Sequence, residues 1–481
     1  NHFSKLFSNN RSLSVKGKGS FSFTGGNSDP ATLKTISSMG FKDPNRVDAT
    51  VRSWHHGRYR SLRTNRAREI LTELLPDLMK VISQTPDPDM VLLEFDKFLQ
   101  GLPAGVQLFA MIQTNPHLLT LLAKIISMAP RLAVHLSSQP SIIDCVLTPA
   151  FFEKLPPVEE LTDELNSTIN HARNIEDVLN FTRRWTHDKQ FQVGVQQLHM
   201  LITPAEAAIA YSEIAEITLS SMSAPIFDEF ISQHGNVKGC EFAILALGKL
   251  GSREMTAQSD LDLVFIYRNQ NEVTASIGNR PLSISQYFAR LSQRHITALT
   301  TLTPYGSLFE VDMRLRPLGN SGPIATSLKS FSNYYKDHAW TWEYMALTRA
   351  RVVFTTSHAL QSDIESELRR IILKPRDPKK LLSDVAEMRK RLPKKSTASS
   401  LWSLKHLNGG ILDIEFLAQY LVLLHAPVTP EILANNTHSL IKSLTSYGYL
   451  EVSTGQFLGQ ALELFQALQN MLILTNESEI I

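Results

Sequence analysis

The sequence predicts a mainly α-helical protein with a small α+β core, its helical domains lying on both sides of a short mixed sheet. Three observations lead there. From about residue 43 to 235 apolar residues recur at intervals of three and four, the period of an amphipathic helix. Between 240 and 318 the pattern changes to short apolar or alternating runs bounded by glycines, the length and context of strands. Beyond Pro317 the helical period returns and persists to about 474. At roughly 100 to 200 residues per domain, 481 residues make about three domains. The expected boundaries are a linker-like lead-in over 1–39, a helical domain over 40–235, a core over 236–330 and a C-terminal helical domain over 331–481.

Taken in order, residues 9–30 concentrate Ser, Gly, Asn and Lys around one alternating SFSFT unit, which reads as linker with at most one short strand. AREILTELLPDLMKVI at 67–82 and MVLLEFDKFLQGL at 90–102 exemplify the helices that follow. Their breaks are expected at Pro76, Pro86, Pro116, Pro130, Pro140 and the pair Pro156 and Pro157. EFAILAL at 241–247, between Gly239 and Gly248, reads as a buried strand. DLDLVFIY at 260–267 is a second, SISQYFARLSQRHITALTTL at 283–302 a helix, and SLFEVDMRL at 307–315 a third strand. FSNYYKDHAWTWEYMALTRARVV at 331–353 and GGILDIEFLAQYLVLL at 409–424 read as helical, and no internal repeat is visible.

Composition narrows the function classes. Lys plus Arg is 48 and Asp plus Glu 46, a net +2, with 43% hydrophobic and 20% charged residues, which excludes bulk disorder and a polyanion-coating protein. Cys145 and Cys240 are too few for a disulfide framework or a cysteine-based zinc site, and fit a reducing, cytoplasmic compartment. The most apolar stretches, 119–126 and 411–424, are short or carry charges, so no membrane span is expected. The start lacks Met and a signal-peptide core, and the end, NESEII, follows directly on a helical pattern, so the chain reads as a piece of something longer.

Chemistry is concentrated on the central strands. Residues two apart share a strand face, so Asp260 and Asp262 point together, away from Leu261, Leu263 and Phe265. The third strand repeats this, with Glu310, Asp312, Arg314 and Arg316 opposite Phe309, Val311, Met313 and Leu315. Gathered carboxylates repel and resist desolvation unless a cation lies between them. Mg²⁺, which takes a few carboxylates plus waters and phosphates, is the natural neutraliser for Asp260, Asp262 and Asp312, and a pair of ions could clamp an in-line displacement at phosphorus. The bland alternative is a charged strand edge that deters aggregation. Between the strands, GKLGSREMTAQSD holds Gly251 and Ser252, which can admit a phosphate close to the backbone, followed by REM opening a short helix. Leu250 after Lys249 rules out a Walker A loop.

A Gly-Ser turn, an Asp-x-Asp strand and a third Asp on a later strand resemble the nucleotidyltransferase superfamily of DNA polymerase β. More narrowly, GKLGSREMTAQSDLDLVFIY, YGSLFEVDMRLRPLGNSGPIATS, AWTWEYMALTRARVV and GGILDIEFLAQYL resemble the glutamine synthetase adenylyltransferase family, over about residue 20 to the end. Members have an adenylyl-removing N-terminal half and an adenylyl-transferring C-terminal half. AWTWEYMALTRARVV, the 409–423 element and the lead-in look more like the transferring half. The seven residues between Ser252 and Asp260 are fewer than usual for the superfamily, though typical of the narrower family.

The resemblance implies ATP with its β and γ phosphates against Gly251, Ser252 and Lys249, metal on Asp260 and Asp262, and Asp312 completing the metal site and helping to deprotonate the acceptor, a tyrosine of glutamine synthetase. Arg314 and Arg316 are the cations expected to meet developing phosphoryl charge, or else to pair with Glu310 or Asp312. Control by a PII signal protein and by glutamine is implied as well. Phosphorolytic removal of AMP from the same tyrosine, or a nucleotide sensor without turnover, are the alternatives.

Other segments receive blander readings. Arg349 and Arg351 are expected on one helix with Trp340, Trp342 and Tyr344, about 200° apart, with the aromatics in core or interdomain packing rather than a base-stacking box. Asp413 reads as a helix-end charge before Glu415. Residues 42–68 hold eight Lys and Arg against Asp43 and Asp48, yet lack aromatic interleaving, so a solvated or protein-docking face is preferred to nucleic acid. Adjacent His55 and His56 do not share a helix face, and no zinc site is proposed there.

Overall fold

The computed structural model of the protein describes residues 13–14, 20–21, 23, 28–139, 142–146, 148–269, 273–392 and 403–475. Helices dominate, around a small mixed sheet. Two compact units emerge, one of residues 1–154 with 194–201 and 474–476, the other of 155–193 and 202–473 with 477–481.

The first unit begins with a two-residue ladder of β1 (Leu13–Ser14) and β2 (Ser20–Phe21), so part of the SFSFT run is a strand; Phe23 beyond it is buried, while positions 22 and 24 lie outside the described residues. Helices Pro44–His55, Asn65–Ser83 and Pro88–Gly101 follow, started by Asp43, Thr64 and Asp87, whose side chains accept from backbone N–H groups of the first turn. Pro76 does not break its helix as expected, but sits inside Asn65–Ser83. Burial of Leu71, Leu74, Leu75, Leu78 and Met79 along one face outweighs a proline penalty of about 3 kcal/mol. The break at Pro140 lies outside the described residues, while Pro116 opens the helix Pro116–Met128. In the basic segment Arg52 pairs with Asp48 at 2.7 Å, and Arg46, Arg58, Arg60, Arg63 and Arg66 are exposed.

The second unit carries the sheet, in the order β5 (Val311–Asp312), β4 (Leu261–Asn269), β3 (Cys240–Ala246), β7 (Arg351–Thr355), with β6 (Ala325–Ser327) also pairing with β4. β3 runs antiparallel to β4 and β7, whereas β5 and β6 run parallel to β4. Alternation divides the apolar residues between two cores. Phe242, Ile244, Leu261, Leu263 and Phe265 join the one that includes helices α1 (Pro204–His234) and α3 (Ile284–Thr300), numbered after the single turn α2 (Gly248–Gly251). Ala243, Leu245, Val264 and Ile266 join the one that includes α4 (Leu328–Asp337) and α6 (His358–Ile372), which flank α5 (Thr341–Leu347). A third core gathers α7 (Pro378–Arg391), α8 (Ile411–His425) and α9 (Val452–Thr475).

Three sequence expectations need correction. The third strand is a two-residue ladder, because the chain turns at Arg314–Leu318, where Arg316 donates to the Met313 and Gly322 carbonyls and Pro317 supplies no N–H. Leu308 and Phe309, although adjacent, enter the same core, and Leu315 packs against the other. REM does not open a helix: the turn α2 precedes it, and Arg253 has φ 55°. Arg349 and Arg351 do not share a helix, since α5 ends at Leu347 and Arg351 begins β7, whose VVFT run carries the β-branched signal of a strand.

Candidate functional site

At the start of β4, Asp260 is exposed and Asp262 half-buried on the face that Val264 and Ile266 continue into the core. Parallel pairing sets Asp312 of β5 directly beside Asp262. Strands so paired lie about 4.8 Å apart, so the two carboxylates are neighbours. Burial first, then the charges of Asp260 and Asp312, push the Asp262 carboxyl up to about 7. Burial also acts to raise Asp312, but hydrogen bonds from the Arg314 side chain and N–H outweigh it and hold that carboxyl below its ordinary range. Arg314 Nε donates to Asp312 at 2.7 Å, so the ion-pair reading of Arg314 is the arrangement present.

The loop before β4 does something other than its glycines imply. Gly251 and Ser252 are buried, and neither lines the cleft beside the carboxylates. A Cβ on Gly251 would lie 2.2 Å from the Arg349 carbonyl, so close backbone packing explains that glycine. Ser252 Oγ donates to the Gly248 carbonyl at 3.2 Å. The glycine that faces the carboxylates is Gly248: its φ is 53°, and a Cβ there would meet Asp262 Oδ2 at 1.9 Å. Leu247 N–H donates to the Asp262 carbonyl at 2.9 Å and ties this turn to the strand.

Around these groups lies a cleft of about 620 Å³, within the 300 to 1,000 Å³ of small-molecule sites. Asp260, Asp262, Gly248 and Lys249 line one part of it, and Met345, Met388, Ile411, Phe416 and Ile473 give it an apolar wall. Lys249 donates to Gln469 Oε1 at 3.4 Å, and burial, with Lys405 adding, lowers its pKa. Lys405 is exposed and lines the same cleft from the turn before α8, where its carbonyl accepts from Leu412 N–H at 3.3 Å. Neither lysine forms an ion pair among the described residues.

The far wall rests on a buried ion pair. Arg349 Nη2 lies 2.7 Å from Glu415 Oε2, and the Gln419 amide, oriented with its oxygen toward the guanidinium, accepts from Arg349 Nε at 2.6 Å. Burial alone would raise Glu415, but Arg349 overrides it and holds the carboxylate low. Behind it Glu254, raised chiefly by burial, accepts from Thr437 N–H and Oγ1 at 3.1 Å each. Arg351 pairs with Glu216 and donates to the Leu250 and Gly251 carbonyls, bracing α2 from behind. Asp413 accepts from Gly409 N–H at 2.7 Å and pairs with Arg389, the helix-end role expected of it. Trp342 lines the cleft, and Trp340 is 70% exposed, so neither is in the core.

Of the site residues expected from the sequence, Asp260, Asp262 and Lys249 line the cleft and Asp312 lies beside Asp262, whereas Gly248, Lys405 and the Arg349–Glu415 pair were not among those expected. Arg316 is turned onto backbone carbonyls rather than toward the cleft. The acidic cluster fits a hard divalent cation by its all-oxygen donors and by the raised Asp262 carboxyl, which burial and then the charges of Asp260 and Asp312 push up. Among the described residues no group of three His, Cys, Asp or Glu side chains is already gathered as ligands, and Asp312 is turned to Arg314. No helix among them is long and apolar enough to cross a membrane.

The sequence model of the glutamate-ammonia ligase adenylyltransferase family matches residues 119–366. A bifunctional glutamine synthetase adenylyltransferase/adenylyl-removing enzyme of Mesorhizobium japonicum is 39% identical over 470 residues, 98% of this chain and 47% of the relative. Proteins of the same name from Brucella melitensis, 42% identical over 424 residues (87% and 43%), and Agrobacterium fabrum, 40% over 422 (88% and 42%), are similar too. The chain spans about half the length of these curated relatives.

Proposed function

The chain belongs to the glutamate-ammonia ligase adenylyltransferase family, and from that premise we propose that it transfers AMP from Mg-ATP to a tyrosine of glutamine synthetase and releases pyrophosphate. One observation carries the reading: a nucleotide-sized cleft with a carboxylate cluster and two lysines that form no ion pair among the described residues at its polar part and an apolar wall opposite. The base of ATP is placed against Met345, Ile411 and Phe416, and its phosphates toward Lys249 and Lys405.

Asp260, Asp262 and Asp312 would hold magnesium, Asp312 exchanging Arg314 for it. When bound, the metal neutralises phosphate charge and lowers the pKa of a nearby hydroxyl. The carboxylates set where the α-phosphorus is presented, and Gly248, by having no side chain, leaves Asp262 its room. Lys249 and Lys405 bear on the charge that accumulates on departing pyrophosphate. Asp312 is positioned to take the proton of the tyrosine, whose ordinary pKa near 10 keeps it a weak nucleophile at neutral pH. Arg314, freed from Asp312, is the cation nearest the reacting phosphoryl group. Regulation by a PII signal protein and by glutamine is part of the proposal through the family resemblance.

Incubation with ATP labelled in the α-phosphate, Mg²⁺ and unmodified glutamine synthetase, followed by peptide mapping, tests the direction. AMP on one tyrosine is the expected result. Phosphate-dependent release of AMP from modified synthetase, without any transfer, would assign the removing activity instead.

A further inference from the structure

Beside the cleft runs a second groove of about 920 Å³, formed by the end of α4, the start of α5 and the α6–α7 region. Trp342, Met388 and Leu392 line both, so the groove adjoins the cleft. At its outer part Trp340 is 70% exposed, and Trp342 is 37% exposed at the junction. An indole left in water at the mouth of a site is unfavourable unless something covers it, and tryptophan is among the residues that most often dominate protein contacts.

Charge adds a direction. Of the acids lining the groove, Glu387 pairs with Arg391, and Asp377 accepts from Lys380 N–H at the start of α7, where the helix end compensates it. The remainder is Lys336, Lys374, Arg376 and Lys380 against Asp337 and Asp384. Arg376 is stacked over Tyr344 at 4.7 Å and Lys374 donates to the Lys336 carbonyl, so both keep their positive charge in fixed places. Lys336 and Lys380 are exposed and form no ion pair among the described residues.

On the premise that the chain transfers AMP to a protein tyrosine, we propose that this groove docks the tyrosine-bearing segment of the protein substrate, in extended form and with carboxylate side chains flanking the tyrosine. Trp340 covers an apolar side chain of that segment, Lys336 and Lys380 meet its carboxylates, and the tyrosine passes Trp342 to reach the acidic cluster.

The test compares wild type with Trp340→Ala and with Lys336→Glu/Lys380→Glu, after thermal unfolding has shown that each folds. KM for unmodified glutamine synthetase should rise at least tenfold in each, with kcat within twofold and Mg-ATP affinity unchanged. The charge variant should also lose the salt dependence of KM that wild type shows. A KM within twofold of wild type in both variants overturns the proposal. Direct binding of glutamine synthetase without ATP separates this from the transferase reading. If wild type transfers no AMP yet binds the synthetase, and the variants do not, the groove stands and the reaction assignment falls; equal binding by all three removes the groove.

Discussion

Replacing Asp262 by Asn tests the electrostatic crowding that makes the carboxylate cluster a cation site. The Asp262 carboxyl is pushed from its ordinary 3.8 up to about 7 by burial and by Asp260 and Asp312. A shift of about 3 units corresponds to about 4 kcal/mol. Between pH about 4 and about 7 the folded chain keeps a proton that the unfolded chain releases, so stability falls as pH rises through this window. Asn carries no charge at any pH. In the presence of a chelator, Asp262→Asn should therefore flatten that slope and exceed wild type at pH 8 by up to about 4 kcal/mol, a shift of several degrees in the unfolding temperature. Its Mg²⁺-dependent transfer should fall by roughly a hundredfold or more. Calorimetry at pH 5, 6, 7 and 8 with EDTA, beside an AMP-transfer assay, reads both effects. A variant less stable than wild type at pH 8, or one with the same pH slope, would refute the raised Asp262 carboxyl; near-normal turnover would show that the metal is held elsewhere.

Other residues give independent checks. Gly248→Ala places a Cβ 1.9 Å from Asp262 Oδ2 and imposes a left-handed backbone on alanine, which costs about 1–2 kcal/mol; kcat should fall at least tenfold, and unchanged kcat means that Asp262 can move aside without consequence. Arg349→Met leaves Glu415 buried without its partner and should destabilise by about 3–5 kcal/mol in urea unfolding; a loss below about 1 kcal/mol would show that water or Lys249 compensates. Arg314→Ala removes the donor that holds Asp312 low in the metal-free chain, so the Asp312 carboxyl should titrate at higher pH in carboxyl NMR with EDTA present, and an unmoved titration would separate Arg314 from Asp312 in solution.

Much of this was legible because strands have a period of two. That period placed Asp260 and Asp262 on one face, and β4 divides its residues between two cores accordingly. Parallel pairing of β5 with β4, by contrast, is a tertiary fact, and it alone brings Asp312 beside Asp262. Gly251 looked like a phosphate contact because glycine marks close approach without saying of what; here the neighbour is the Arg349 carbonyl. Arg349 and Arg351 were hidden by the apolar run before them, which continues the helical pattern past the point where α5 stops. Lys405 has no local signature, since its role comes from a turn packed before α8, more than 140 residues from Asp262 in sequence.

Central to the proposed chemistry is a metal held by Asp260, Asp262 and Asp312 beside ATP in the cleft. Anomalous scattering from Mn²⁺ in crystals grown with a non-hydrolysable ATP analogue observes it directly. Manganese among those three carboxylates, with the phosphates reaching Lys249 and Lys405 and the base against Phe416, is the predicted result. Manganese bound away from Asp262, or a nucleotide outside the cleft, would contradict it.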